Sequence, residues 1–180
     1  TNTTSGTLNA VYTVTPTGTD GTCLGNDFTV TVPVNPEPVV GDQLLTICSD
    51  EPSGFTLPTG SSIEATTFNI TAINSNGLTA SAGSPAIGDG LNPDVLEDDA
   101  WTNITASQVD VVYTITPVSS AGCEGDPFTV TLSVNPEPVV ADQTGTICSD
   151  NAINITLNDD ADAPSVASYN ITNINSNGLT

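Results

Sequence analysis

The chain has 180 residues and carries 21 acidic side chains but no lysine, arginine or histidine, so its formal net charge is −21 at pH 7. This composition excludes ion pairs between side chains, catalysis by imidazole or amine groups, and metal sites built on histidine. A charge of this sign also disfavours nucleic acid and anionic membrane surfaces as direct partners. Stability therefore has to come from apolar burial, hydrogen bonds, disulfides or bound cations.

Short stretches of alternating apolar and polar residues recur along the chain, beginning with VYTVTP at 11–16 and FTVTVPV at 28–34. They return as VYTITP at 112–117 and FTVTLSV at 128–134, and all are rich in β-branched residues. A period of two with such side chains predicts half-buried strands. Turn signals rich in glycine and asparagine separate the stretches. The pattern predicts an all-β fold built from immunoglobulin-like β-sandwich domains.

The segment VNPEPVV follows the second stretch at 34–40 and recurs unchanged 100 residues later. Pro36 and Pro38 each remove a backbone donor and fix φ, which excludes both from the interior of a central strand or a helix. They also bias Asn35 and Glu37 toward extended backbone. We therefore predict a short, stiff, extended connector.

The connector belongs to a longer internal repeat. Residues 23–50 align with 123–150 and are identical at 20 of 28 positions, and flanking matches keep an offset of 101 residues. A period of about 100 residues matches one small domain per repeat. A boundary at the connector predicts three units, namely the C-terminal part of one repeat at 1–36, a complete repeat at 37–136, and the N-terminal part of the next at 137–180.

This arrangement predicts that neighbouring repeats of the same chain are the main partners. We interpret the chain as a section of a longer array. The alternative is a subunit whose partial repeats complete each other between neighbouring copies by donating strands, and it stays open at this point.

Four cysteines, Cys23, Cys48, Cys123 and Cys148, are spaced by 25, 75 and 25 residues. In a sandwich of this type, the first strand begins at the pole where the last hairpin turns back. We place Cys48 near the start of the first strand and Cys123 at that turn, and so predict a Cys48–Cys123 disulfide. Cys23 and Cys148 would then pair with cysteines beyond these residues. Four buried free thiols are the alternative, but an acidic array with one cysteine pair per repeat suits an oxidising exterior better.

The densest acidic stretch is IGDGLNPDVLEDDAW, which carries Asp89, Asp94, Glu97, Asp98 and Asp99. Oxygen ligands on a loop of this composition suit Ca²⁺, which takes about six to eight oxygens in flexible geometry. The spacing does not follow an EF-hand, and simple solvation of these charges is the alternative. Calcium is the one cofactor that the sequence suggests.

Three further acids recur in both copies and flank the connector, where a cation could stiffen the joint between repeats: Glu37/Glu137, Asp42/Asp142 and Asp50/Asp150. The one tryptophan, Trp101, is predicted to lie in a sandwich core. The acceptor pattern for N-glycosylation, Asn-x-Thr, occurs at Asn2, Asn69, Asn103, Asn154 and Asn170. In a chain rich in asparagine and threonine, many such matches arise by chance.

The combination of VYT(V/I)TP, GC-x-G, FTVT, VNPEPVV and TICSD resembles the PKD-like and immunoglobulin-like repeats of very large surface proteins of Bacteroidota. These include gliding-motility adhesins of the SprB type and other cargo of the type IX secretion system. The resemblance covers essentially the whole chain. It implies secretion to the cell surface, a filament of domains in tandem, and attachment to substrata or to other cells.

These observations favour a structural repeat of an extracellular adhesin or filament, because near-identical copies supply reach rather than distinct chemistry. The alternative is an immunoglobulin-like module that binds carbohydrate or protein, which a row of exposed aromatic residues would favour. Aromatic residues make up only 4% of the chain, which weakens that alternative. We do not expect an enzyme, because carboxylates that could cleave glycosides are present without any sign of a cleft. We expect no membrane insertion, and an external surface or glycan ligand is not identified.

Overall fold

A computed structural model describes residues 1–19, 21–157 and 164–178. Within these ranges the chain is all β, as predicted, and contains no helix. No segment there has the helical length and apolar character of a bilayer span. The strands are β1 Leu8–Val14, β2 Phe28–Val34, β3 Gln43–Cys48, β4 Ala65–Asn74, β5 Thr79–Ala82, β6 Gly88–Leu91, β7 Ala100–Thr102, β8 Val109–Ser119 and β9 Phe128–Asn135.

Strands β3 to β9 all lie in the predicted complete repeat, which we call the central repeat. Five of them form one sheet in the order β3-β9-β8-β4-β6, and β5 and β7 form a second, two-stranded sheet. The first strand, β3, pairs in parallel with the last, β9, and runs from Gln43 beside Val130 to Cys48 beside Asn135. All other strand pairs are antiparallel.

Alternation along β8 and β9 builds the core of the central repeat. Val111, Tyr113 and Ile115 of β8 are completely buried, and so are Val130 and Leu132 of β9. In an extended strand successive side chains point to opposite faces, so these residues share one face of the sheet. The threonines between them lie on the other face and are partly exposed.

The second layer covers this face with side chains from β7 and from loops. Trp101 is only 5% exposed, which confirms its predicted core position. Its ring meets Tyr113 edge to face at 6.5 Å between centroids, and Phe68 meets Phe128 in the same manner at 6.4 Å. Such edge-to-face pairs match the quadrupoles of the two rings.

The N-terminal strands β1 and β2 form a hairpin that repeats the last hairpin of the central repeat. The two hairpins have the same register. In the first, Leu8, Tyr12 and Val14 lie opposite Val34, Val30 and Phe28. In the last, the equivalent residues Val109, Tyr113 and Ile115 lie opposite Val134, Val130 and Phe128. Within the described residues, however, nothing covers this hairpin, and its apolar side chains stay exposed.

The described residues after β9 form no strand, although they repeat the sequence of β3 and β4. In the central repeat, β3 hydrogen-bonds to β9 and β4 to β8. The corresponding partners of the C-terminal segment are absent from its surroundings in the described chain. Extended residues without a neighbouring strand cannot satisfy their backbone groups within a ladder.

Candidate functional site

The side chain of Asn103 is completely buried at the pole of the central repeat where β8 begins and β9 ends. Its Nδ2 donates to the carbonyl oxygens of Val134 at 2.8 Å and Ser107 at 3.0 Å, while Oδ1 accepts from the amide and hydroxyl of Thr105. This network ties the entry of β8 to the end of β9. A side chain with all its donors and acceptors used and no exposed surface is a structural element.

Asn2 makes the same network in the partial N-terminal repeat. Its Nδ2 donates to Val34 and Gly6, and its Oδ1 accepts from Thr4. Two of the five Asn-x-Thr matches are therefore structural turns, and their amide nitrogens are already occupied. The sequence contained one signal for this role, since Asn2 and Asn103 are related by the offset of the repeat.

Each of these asparagines also holds the start of a connector. The amide of Glu37 donates to the Asn2 carbonyl oxygen at 2.9 Å, and the amide of Glu137 donates to the Asn103 carbonyl oxygen at 3.0 Å. On its other side, the Glu37 carbonyl accepts a 2.6 Å hydrogen bond from the Ser62 hydroxyl of the central repeat. One peptide segment is thus bonded to both the preceding and the following repeat.

The rest of the first connector packs on the central repeat. Pro36 and Pro38 are buried, and the amide of Ser61 donates to the Val39 carbonyl oxygen at 2.9 Å. The connector passes so close to Gly125 that a Cβ there would lie 2.0 Å from the Pro38 carbonyl oxygen. A side chain at Gly125, the second glycine of the GC-x-G motif, would therefore collide with the connector.

The recurring acids have structural roles at the two poles of the central repeat. Asp42 accepts a 2.7 Å hydrogen bond from the amide of Thr129, which lowers the pKa of its carboxyl. Asp50 adopts a φ of 61°, a left-handed conformation that aspartate tolerates better than most residues. Its carboxylate accepts from the Thr102 hydroxyl at 2.7 Å, and this bond lowers its pKa. Desolvation, and then the nearby Asp50 charge, raise the pKa of Glu137.

The structure does not assemble the predicted calcium ligands. Asp89 lies in β6, whereas Asp94, Glu97 and Asp98 are exposed in the turns that follow. Among the described residues, no group of three or more acidic or cysteine side chains could hold a metal ion. The fifth residue, Asp99, points into the core and is separated from the others by its burial.

Asp99 is 1% exposed and ends a buried chain of hydrogen bonds. The indole Nε1 of Trp101 donates to the Tyr113 hydroxyl at 3.0 Å, and that hydroxyl donates to Asp99 Oδ2 at 2.9 Å. The other oxygen, Oδ1, has no hydrogen-bond partner among the described residues. Burial raises the pKa of Asp99 to about 6 despite the hydrogen bond from Tyr113, and the Asp98 charge adds to the effect.

The predicted Cys48–Cys123 disulfide is not formed, and both thiols are free. The assumption that Cys48 lies near the start of the first strand is wrong, because it is the last residue of β3 and lies beside Asn135. Cys123 precedes the other end of β9, so about 25 Å of strand separates the two. A disulfide needs Cα atoms within about 7 Å. The pairing of Cys23 and Cys148 with cysteines elsewhere rested on the same argument and loses that basis.

Comparison with known proteins bears on this architecture. A family model described as a PKD-like domain matches residues 1–38 and 45–138, well over half of the chain. No curated protein and no solved structure matches. The match of this family model over more than half of the residues shows that the chain belongs to the PKD-like domain family.

Proposed function

We propose that the chain is a structural section of a long extracellular adhesin or filament, in which tandem PKD-like domains form a stiff stalk for surface attachment or gliding motility. The observation that carries this proposal is the double anchoring of Glu37. Its amide bonds to Asn2 of one repeat and its carbonyl to Ser62 of the next, so the backbone cannot turn freely between them. A stiff stalk requires restricted rotation between its domains, whereas a flexible linker lacks hydrogen bonds to both neighbouring domains.

The proposal includes the predicted units at 1–36, 37–136 and 137–180, with neighbouring repeats as the partners at each joint. PKD-like domains are typically extracellular. Secretion to the cell surface by the type IX system and membership of a SprB-type adhesin are proposed from the resemblance of the repeated motifs.

An immunoglobulin-like module that binds carbohydrate or protein is the second candidate. The aromatic residues of β4 to β9, namely Phe68, Trp101, Tyr113 and Phe128, are all buried in the core. Sugar-binding surfaces usually present aromatic faces to solvent, so the central repeat offers little for this role. The structural role is therefore the better supported of the two.

The stiffness of the joint can be measured by ¹⁵N relaxation on the full chain. We expect the amides of Glu37 and Val39 to have order parameters near 0.85, the value of rigid backbone. In a Ser62→Ala variant, the Glu37 carbonyl loses its hydrogen bond, and order parameters should fall at Glu37 and Val39 but not in β8 or β9.

Ser61→Ala is the matched control, because the Ser61 hydroxyl is 3.5 Å from the Val39 carbonyl oxygen and its backbone amide makes the main contact. This variant should keep the connector rigid. Wild-type order parameters below about 0.6 at Glu37 would mark a flexible linker and overturn the stalk proposal. Specific binding of the chain on a glycan array would instead favour the second candidate.

A further inference from the structure

Strand β3 forms one edge of the five-stranded sheet of the central repeat. On one side it pairs in parallel with β9 from Gln43 to Cys48, and no strand of the described chain pairs with its other side. Outside this ladder, the residues between Leu44 and Ile47 make no backbone hydrogen bond within the described chain. A free edge of this kind is a template for an added strand.

This edge lies within the complete repeat, at its side rather than at a joint. The first connector packs against Gly125 in the turn before β9, and the second connector begins after Asn135 at the end of β9. Because β3 runs parallel to β9 between these two poles, neighbouring repeats follow beyond the ends of β3. The edge therefore stays accessible along the side of a tandem array.

The opposite edge of the sheet, β6, is a poorer template for strand addition. It has four residues, in which Gly88 and Gly90 flank the charged Asp89, and its register with β4 shifts. By contrast, β3 has six residues without glycine, proline or charge. It buries Ile47 on the core face but leaves Leu44 73% exposed on the outer face, where an added strand could cover it.

Carboxylates lie at both ends of β3. Asp42 precedes the strand and accepts a hydrogen bond from the amide of Thr129, while Asp50 follows the strand and accepts one from the hydroxyl of Thr102. These bonds orient the two carboxylates and lower their pKa values, so both groups keep their negative charge. An extended segment of nine residues, about 26 Å from end to end, would span the interval between them.

A second copy of the chain does not suit this edge. Antiparallel pairing that places Leu45 opposite Ile47 would also place Asp42 opposite Asp50 at both ends. Parallel pairing in register would place each acid beside its own counterpart. Like charges at opposed positions destabilise paired strands, and the chain has no basic side chain to offset them. The two acids therefore disfavour pairing between copies and favour a partner of opposite charge.

We propose that the free edge of β3 binds an extended, basic segment of a partner protein by strand addition. The backbone of the segment continues the sheet beyond β3, and its side chains cover Leu44. Lysine or arginine residues of the segment lie beside Asp42 at one end and Asp50 at the other. Main-chain hydrogen bonds supply affinity, and the spacing of the two charges supplies specificity. The contact lies on the side of the repeat and does not depend on the stiffness of the joint.

Titration of the full 180-residue chain with a synthetic peptide tests the proposal. The probe is a nine-residue peptide of sequence KVTVTVTVK with capped ends, and the control peptide EVTVTVTVE has the same alternation with the opposite charge. In ¹H–¹⁵N spectra, the lysine peptide should shift the amides from Gln43 to Cys48. It should also slow hydrogen exchange at those β3 amides that exchange fast in the free chain. The amides of β6 should not change, and the glutamate peptide should have no effect.

A pair of double variants separates local charge from the charge of the whole chain. Asp42→Asn with Asp50→Asn removes both charges but keeps an oxygen acceptor at each position, and asparagine tolerates the left-handed φ of Asp50. This variant should bind the lysine peptide about 2- to 30-fold more weakly, the range for loss of two exposed ion pairs. Asp89→Asn with Asp94→Asn is the matched control. It removes two exposed carboxylates away from β3, reaches the same net charge and should bind like the wild type.

Equal binding of the two peptides would overturn the proposal, and so would equal weakening by the two double variants. In either case the charges at the ends of β3 would have no special part in recognition. Shifts that lie outside β3, or no shift at millimolar peptide, would also overturn it. Association of the chain with itself through β3, without peptide, would identify a second copy as the occupant and contradict the proposed partner.

Discussion

The role of Asp99 in the structure differs from the role that the sequence predicts. Among the five acids of its loop it looks like a ligand, but in the fold it accepts a hydrogen bond from Tyr113 inside the core. Its second oxygen is buried without a hydrogen-bond partner among the described residues. A buried carboxylate in this state resists ionisation, because the charged form loses its hydration.

This arrangement predicts a pH-dependent stability. The pKa of Asp99 is about 6 in the fold against 3.8 in its ordinary state, so the folded protein binds the proton more tightly than the unfolded chain. Its contribution therefore favours the fold as pH falls from above 6 toward 4, and is lost as pH rises through 6. We expect Asp99→Asn to raise the free energy of unfolding at pH 7.5 by about 1–2 kcal/mol.

Urea unfolding between pH 4.5 and 7.5 checks this prediction, with Asp94→Asn as the control. Asp94 is an exposed carboxylate in the same loop, and its replacement removes the same charge without changing the core. Asp94→Asn should keep the wild-type slope of stability against pH, whereas Asp99→Asn should flatten it. Equal slopes in the wild type and in Asp99→Asn would show that Asp99 ionises normally in the fold.

The joint between the first two repeats depends on the turn between β8 and β9, against which the connector packs. The turn between β8 and β9 brings Gly125 against Pro38, and the Asn-x-Thr turns hold the connectors at their origin. From the sequence, the two prolines predicted an extended connector. The closeness of Gly125 was beyond prediction, because 87 residues separate it from Pro38.

Gly125→Ala should therefore destabilise the chain through a contact between elements. The added Cβ would lie 2.0 Å from the Pro38 carbonyl oxygen, and the connector would have to move. Overpacking of this kind costs about 1–3 kcal/mol in the free energy of unfolding. Gly41→Ala is the control, since a Cβ there meets no atom within 4 Å. Denaturant titrations should separate the two variants, and equal midpoints would contradict the close approach.

At the scale of the whole molecule, the charge has no internal compensation from basic side chains. A net charge of −21 on 180 residues makes the side-chain electrostatics repulsive, and a compact fold brings these charges closer together. Added salt screens such repulsion between exposed charges within a Debye length. The central repeat should therefore be more stable at high ionic strength than at low.

Thermal melting in increasing NaCl checks this expectation, and a falling midpoint would contradict it. Thermal melting also tests whether the chain binds calcium specifically. At equal ionic strength, CaCl₂ and MgCl₂ should raise the midpoint by similar amounts, because the described acids form no metal-binding group. A rise that calcium alone produces, and that chelator reverses, would reveal a site that the arrangement of Asp89 to Asp99 does not suggest.

Features that depend only on neighbouring residues could be predicted from the sequence. The alternation along β8 and β9 predicted half-buried strands, and the stretches rich in glycine and asparagine predicted turns. Such a turn forms at Asn76-Gly77 with φ angles of 48° and 92°, and it returns at Asn177-Gly178 with 48° and 89°. Backbone preferences of asparagine and glycine act over a few residues and need no distant partner.

Which residues pair as strands and which are buried in the core depends instead on contacts in the folded chain. Ile70 lies buried in β4, while Ile171, in the same local sequence, is 80% exposed and outside any strand. The end position of Cys48 in β3 and the burial of Asp99 are likewise set by β9 and β8. Strand pairing, burial and pKa depend on contacts between residues far apart in the chain, and a local pattern does not contain them.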